Sequence, residues 1–273
     1  MIDTHCHLTF RDFSADVQGV LGRARAAGVV GAISISTTTS DCLDAMAVAD
    51  EFDNVWCTSG IHPLHAHEGP HEWDNLRRVG EHPKCVAWGE LGLDNHYDTP
   101  DKATQRAVLA DQLAHIESWA ADGLAKPVVV HCRKAVDDLL PILRQSSLDH
   151  ERYVFHCFTE SPDDARRVLD FGAHVSFTGV VTYKNAREVA EASMLVPDDR
   201  IMVETDAPFL SPEPVRGKRP CEPAFAAHTA RFLASLRGVD AADFETQIDA
   251  NTARFFGIEI PEGAGFAAVG AGA

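Results

Sequence analysis

Long apolar runs are missing from this sequence. No stretch reaches the ~18 consecutive hydrophobic residues of a membrane-spanning helix, so no membrane association is expected. The opening "MIDTHCHLTF" has no basic region, apolar core or small-residue cleavage site, which makes the cytoplasm the expected compartment. Paired cysteines are missing too. The seven present (Cys6, Cys42, Cys57, Cys85, Cys132, Cys157 and Cys221) are odd in number, dispersed and without a C-x-x-C pair. That argues against a disulfide framework and a zinc knuckle. Cys57, Cys132 and Cys157 sit in or beside apolar runs, as small buried hydrophobes do. Cations are scarce: 24 Lys and Arg stand against 41 Asp and Glu, a net charge of −17. A protein that coats nucleic acid relies on neutralising phosphates and has the opposite balance. The balance is compatible with an enzyme that handles a phosphodiester locally, with metal cations supplying the positive charge. Few aromatics are arranged as a stacking platform, and the only tryptophans are Trp56, Trp73, Trp88 and Trp119. Loop residues Phe10, Phe158 and Phe209 are left as candidates either to stack terminal bases or to join the core.

What is present is a set of short β-rich runs, near Met1–Cys6, Val30–Ser36, Val55–Gly60, Val86–Glu90, Val128–His131, Tyr153–Cys157, Ala173–Thr178 and Ile201–Glu204. Most are too continuously apolar to have a wet face, as in parallel strands covered on both sides. "PVVVH" and "RIMVETD" are the clearest. Helical segments separate them. "ATQRAVLADQLAHIESWAADG" places Val108, Leu109, Leu113, Ile116 and Ala120 on one face. "SPDDARRVLDFG" offers Ser161 as N-cap, Pro162 at the first helical position and Gly172 past the end. "SDCLDAMAVADEF" and "KNAREVAEASML" fill two further gaps, and "AFAAHTARFLASLRG" and "AADFETQIDANTARFFG" read as closing helices. This alternation predicts an α/β fold, a single-domain (β/α)8 TIM-like barrel over residues 1–260. A doubly wound open sheet is the alternative, because periodicity alone cannot close a barrel. The Gly/Ala-rich stretch 261–273 is expected to be a flexible tail.

The polar residues that interrupt the apolar strands gather at strand C-terminal ends. His5 and His7 close the first run, two positions apart and so on one face of a strand. "GIHP" places His62 after the third, Glu90 ends the fourth, and "HCRKA" supplies His131 and Arg133 at the fifth. "HCF" gives His156 at the sixth and "ETDAPFL" gives Glu204 and Asp206 at the eighth. Taken singly, His131 or His156 reads as an ordinary half-buried histidine and Glu90 or Asp206 as a helix cap. In a barrel, however, these ends share one rim, where four histidines and two carboxylates from five strands suit divalent metals. Asp206 is placed to hold a metal and to orient or deprotonate water. Arg133 offers a fork for phosphate oxygens, with a surface salt bridge as its alternative. His65, His67 and His71 in "HPLHAHEGPH" read as loop histidines, and Lys184 lies beyond strand seven.

In "DTHCHL", "GIHP", "GELGLD", "HCRKA", "HCF", "ETDAPFL" and "PVRGKRPCEP" the chain resembles the TatD-type DNases of the amidohydrolase superfamily. The motifs run in family order from residue 3 to about residue 223. The resemblance implies a metal-dependent hydrolase on a TIM-like barrel, often a nuclease trimming DNA from the 3′ end. It implies two metals on His5, His7, Glu90, His131, His156 and Asp206, with Glu90 bridging, and brings His62 and Glu204 into the site. Asp94 matches a recurring position and reads as structural. Where the family usually has R-G-K-x-N-E-P, this chain has "RGKRPCEP", with Pro220 and Cys221 before Glu222. Lys134 stands where an acid is more common. Neither departure touches a ligand position.

The leading expectation is a 3′–5′ exodeoxyribonuclease acting on DNA ends or single strands through two zinc, manganese or magnesium ions, with no obligate protein partner. His62 and Arg133 would contact substrate, and Asp206, Glu204 and His62 would serve catalysis. An ester, lactone or cyclic-amide hydrolase, including one that deacylates aminoacyl-tRNA, is a second reading, because fold and metals do not separate the two. A metal-binding scaffold without activity is a third.

Overall fold

A computed structural model describes residues 1–260, and the stretch 261–273 lies outside the described residues. Eight parallel strands follow one another in sequence order around a single sheet: β1 (Ile2–Cys6), β2 (Gly31–Ser34), β3 (Val55–Ser59), β4 (Cys85–Asp94), β5 (Val128–Arg133), β6 (Tyr153–Phe155), β7 (His174–Phe177) and β8 (Ile201–Val203). Between and after them run α1 (Val17–Ala26), α2 (Asp41–Glu51), α3 (Trp73–Gly80), α4 (Lys102–Ala121), α5 (Val136–Leu143), α6 (Pro162–Phe171), α7 (Arg187–Ser193), α8 (Ala226–Arg237) and α9 (Ala241–Phe256). An open doubly wound sheet would leave the outer strands unpaired. Here the first and last strands meet: Asp206 N donates to His5 O at 2.9 Å and His7 N to Ala207 O at 2.8 Å. The buried Asp3 carboxylate adds bonds from Thr205 N at 2.9 Å and Thr205 Oγ1 at 2.6 Å. The fold is a (β/α)8 barrel, and its closing seam runs through residues singled out as ligands. Among the described residues, no helix is long and apolar enough to cross a membrane.

Strand alternation decides what faces the barrel axis. Val128 and Val130 pack in the larger core between strands and helices, whereas Val129 joins a second cluster with Ile2, Ile33, Val154 and Met202 that fills the barrel interior. Two residues further along a strand the side chain returns to the same side. His131 therefore follows Val129 inward, His156 follows Val154 and Glu204 follows Met202. Apolar side chains plug the barrel while the next layer is polar, and the change of residue type along each strand sets the depth of the site. Outside, α6 begins as its sequence predicts: Ser161 accepts from Asp164 N and Gly172 closes the helix at φ 111°. Phe158 is buried against Phe177 with ring centroids 6.2 Å apart, so it belongs to the core and stacks no base.

Strand β4 departs from the sequence expectation. It runs on through Asp94, so Glu90 lies within the strand and not at its end. Trp88 pairs with Val128 and Leu91 with Val130, three steps against two, so one extra residue is accommodated at Gly89–Glu90. Such a β-bulge re-aims a side chain. A similar irregularity falls between Asp3 and Cys6, beside His5. Gly92, at φ +147°, lets β4 approach β5 so closely that a Cβ would run into the His131 carbonyl. Gly92→Ala is expected to destabilise the fold by ~2–4 kcal/mol, combining backbone strain with overpacking. An unchanged urea midpoint would refute this account of the contact.

Candidate metal centre

The C-terminal ends of the strands surround a cavity of about 600 Å³. His7, His62, Glu90, His131, His156 and Asp206 line it, with Phe10, Leu64, His65, Tyr97, Val180, Phe209 and Leu210 among the residues of its walls. Of the loop histidines, His65 reaches this wall and is paired with Glu68 at 2.7 Å.

Two groups of donors converge on the single Glu90 carboxylate. On one side Oε2 lies 3.4 Å from His5 Nε2, which is 3.6 Å from Asp206 Oδ1. His7 Nε2 is 3.4 Å from that same Asp206 oxygen. On the other side Oε1 lies 2.6 Å from His156 Nε2, 2.7 Å from His131 Nδ1 and 3.4 Å from His62 Nε2. His5 tests whether an ion fits. It is fully buried, and neither of its ring nitrogens has a hydrogen-bond partner. Buried polar atoms are rarely left so. Donors ~2.1 Å from a common divalent ion at roughly tetrahedral angles lie about 3.4 Å apart, which matches the spacing around His5 Nε2. The residues fit a metal.

The charges are mutually dependent. Burial alone would push the Glu90 carboxyl up, but His156, His62 and His5 outweigh it and hold that group well below the ordinary carboxylate range. Burial likewise opposes a charge on His156, and Glu90 with Glu204 reverses this, lifting it well above the usual imidazole value. His5 stacks on His156 with centroids 3.8 Å apart. Burial first, and then the charge of His156, lowers its pKa. Burial would also raise Asp206, but hydrogen bonding to His7 and the charge of His5 lower it. Asp206 sits at φ 57°, a left-handed conformation that Asp tolerates better than most residues.

Two carboxylates hold the rings in place. Asp94 Oδ2 meets His131 Nε2 at 3.0 Å, leaving Nδ1 toward Glu90. Asp94 therefore lines the site as well as bracing the loop, where its Oδ1 accepts from His96 N at 2.8 Å. Glu204 does not line the cavity. Its oxygens take Ser176 Oγ at 2.6 Å, Cys157 N at 2.6 Å and His156 Nδ1 at 3.3 Å. Its place is behind His156, enclosed and off the cavity wall. The sequence reading missed the Ser176 and Cys157 contacts, because a backbone N–H and a mid-strand serine carry no motif.

His62 differs from the other histidines. Leu64 N donates to its Nδ1 at 3.1 Å, so the neutral ring carries its proton on Nε2, the atom facing Glu90 and His131. Burial lowers its pKa to about 4, which keeps it neutral. The ring presents an N–H to the cavity. Arg133 also reaches the wall, its guanidinium 5.2 Å from the Tyr97 ring centroid and Nη1 3.5 Å from Tyr97 Oη. Among the described residues it makes no ion pair, so the salt-bridge alternative is not realised.

The chain has relatives among known proteins. A family model described as TatD related DNase matches residues 2–257. The uncharacterized metal-dependent hydrolase YcfH of Escherichia coli K12 is 37% identical over 262 residues, 95% of this chain and 96% of that protein. TatD of Klebsiella pneumoniae strain 342, named a 3′-5′ ssDNA/RNA exonuclease, is 35% identical over 270 residues, 95% of this chain and 99% of its own length. The crystal structure of YjjV, a TatD homologue from E. coli K12, superposes with a TM-score of 0.86 at 29% identity and covers 95% of this chain and 98% of that one. The family model's match spans all eight strands and the positions of both donor groups. The chain belongs to the TatD-related DNase family and is a metal-dependent hydrolase.

Proposed function

We propose that the centre holds two divalent ions, zinc, manganese or magnesium, and hydrolyses phosphodiester bonds at the 3′ ends of single-stranded DNA or RNA. The observation that carries this reading is the Glu90 carboxylate, whose two oxygens face separate donor groups. His5, His7 and Asp206 would hold one ion, His131 and His156 the other, with Glu90 shared. Ions bound there supply Lewis acidity and bring the pKa of water toward neutrality.

The protein's own groups do the rest. Asp206, partly open to the cavity, accepts the proton of the attacking water. His62 Nε2–H donates to a phosphoryl oxygen, and Arg133 provides a second donor to the same charge. Asp94 and Glu204 act through His131 and His156 as positioning residues, each fixing a ring so that one nitrogen points at the centre. The relatives named as exonucleases support the choice of bond. The reading retains a cytoplasmic enzyme that needs no protein partner.

The test is digestion of 3′-labelled and 5′-labelled single-stranded DNA by metal-stripped protein, restored separately with magnesium, manganese or zinc. Stepwise loss from the 3′ end with a restored metal is the expected result. Protein that binds two ions yet leaves DNA intact would overturn the nuclease assignment in favour of an ester or cyclic-amide substrate.

A further inference from the structure

Resting on that reading, we infer that the loop between β8 and α8 binds the strand upstream of the cleaved nucleotide, with Phe209 stacking a base and Arg216, Lys218 and Arg219 holding successive phosphates. The sequence places three cations in four positions here, and no acid occurs from residue 214 to residue 221. In a chain of net charge −17 a polyanion is repelled at long range, so attraction has to be local, within a Debye length of ~10 Å. All three cations are exposed.

The loop begins at the cavity wall. Phe209, 45% exposed, and Leu210 line that wall. Phe209 stands edge-on to Phe10 at 6.1 Å, and Phe10 stacks on His7 at 4.5 Å, so a line of rings leads from the metal centre to the rim. An exposed ring backed by other rings is a ready platform for a base.

The loop is also held in shape. Ser211 Oγ donates to Lys218 O at 2.6 Å, and Lys218 N donates to Val215 O at 2.8 Å. Tyr183 Oη donates to Ser211 O at 3.0 Å, and Arg216 lies over the Tyr183 ring at 3.8 Å. Across this junction Gly179 comes so close to Leu210 and Pro212 that no Cβ would fit. At its far end Cys221 N donates to Pro208 O at 3.0 Å, and Glu222 forms a two-pronged pair with Arg23 at 2.7 and 3.1 Å. The departure at Pro220 and Cys221 thus leaves the loop anchored at both ends. Arg216 has one acid nearby, Glu213 at 3.9 Å. Among the described residues Lys218 and Arg219 have no carboxylate partner. A fixed loop presenting unneutralised cations beside a ring platform suits a flexible single strand, whose bases are free to stack while its phosphates pair with side chains.

The experiment compares the metal-loaded wild type with K218E/R219E, R216Q and F209A. Two substrates are used: bis(4-nitrophenyl) phosphate, which occupies only the cavity, and oligo(dT) of about 12 nucleotides. Binding of a phosphorothioate oligo(dT) is followed by fluorescence anisotropy between about 50 and 200 mM salt. For K218E/R219E the ratio of kcat/KM on oligo(dT) to that on the small diester should fall at least ~10-fold, and the slope of log Kd against log salt should shrink by about 1.4. R216Q should lose about half that slope. F209A should weaken binding ~10-fold with the slope unchanged, because stacking releases no counterions. If the wild type digests oligo(dT) while all three variants keep the wild-type ratio and slope, the track is overturned and the nuclease assignment stands. A wild type that neither binds nor cleaves oligo(dT) overturns both.

Discussion

Glu90→Gln is expected to lower hydrolysis by at least ~10³-fold and to leave the protein with fewer than two bound ions per chain. The substitution keeps the size of the side chain and the bulge that aims it, but it removes the charge that both donor groups share. Metal-assisted stabilisation of a transition state is worth several kcal/mol, and about 4 kcal/mol corresponds to that factor. The measurements are metal content by elemental analysis after dialysis and turnover on a phosphodiester. A variant that retained two ions and most of its activity would remove Glu90 from the bridging role proposed for it. The remaining charges shape the outcome: without the carboxylate, His156 loses the strongest of the influences that favour its protonated form.

Asp206→Asn is the second change with a large expected effect, and it separates chemistry from folding. Asp206 sits at φ 57°, and its N–H carries a seam bond to His5 O. Asn tolerates the left-handed region and keeps that N–H, so the Tm of the metal-free protein should stay within ~3 °C of wild type. The lost group is an anionic oxygen, proposed above as metal donor and proton acceptor. Turnover should fall ~10³-fold, within the range for removal of a general base. Thermal melts and kinetics on the same preparation decide the matter. A large drop in Tm with proportionate loss of activity would show that the residue acts mainly through the seam.

Much of this centre is legible in the sequence, for a physical reason. Strands covered on both faces tolerate few polar residues, so those that occur stand out, and parallel strands in a barrel bring their ends to one rim. His131 and His156 are legible in this way. Glu204 is legible as part of the site but not as an enclosed residue, because burial depends on Ser176 and Cys157, which adjoin it only in three dimensions. The extent of β4 is hidden by its glycines: Gly89 and Gly92 read as the end of a strand, whereas they permit the bulge and the close approach that continue it. Helices α1, α3 and α5 do not stand out in the sequence. α3 and α5 have eight residues each, and α5 carries Pro141 inside it, so neither shows a sustained apolar period. Phe158 cannot be assigned from its neighbours in sequence, since its partner Phe177 lies on the next strand.

The closing seam also orders events during folding. His5 and His7 belong to the first strand and its exit, and Asp206 follows the last, about 200 residues later. Contacts of such separation carry a large loop-closure entropy and are disfavoured until the intervening elements are in place. The bonds from Asp206 to His5 and from His7 to Ala207 both close the barrel and bring one donor group together. A chain whose ends have not met has the histidines but not the pocket that unites them. Hydrolytic competence therefore waits on closure of the barrel and is lost when the seam parts.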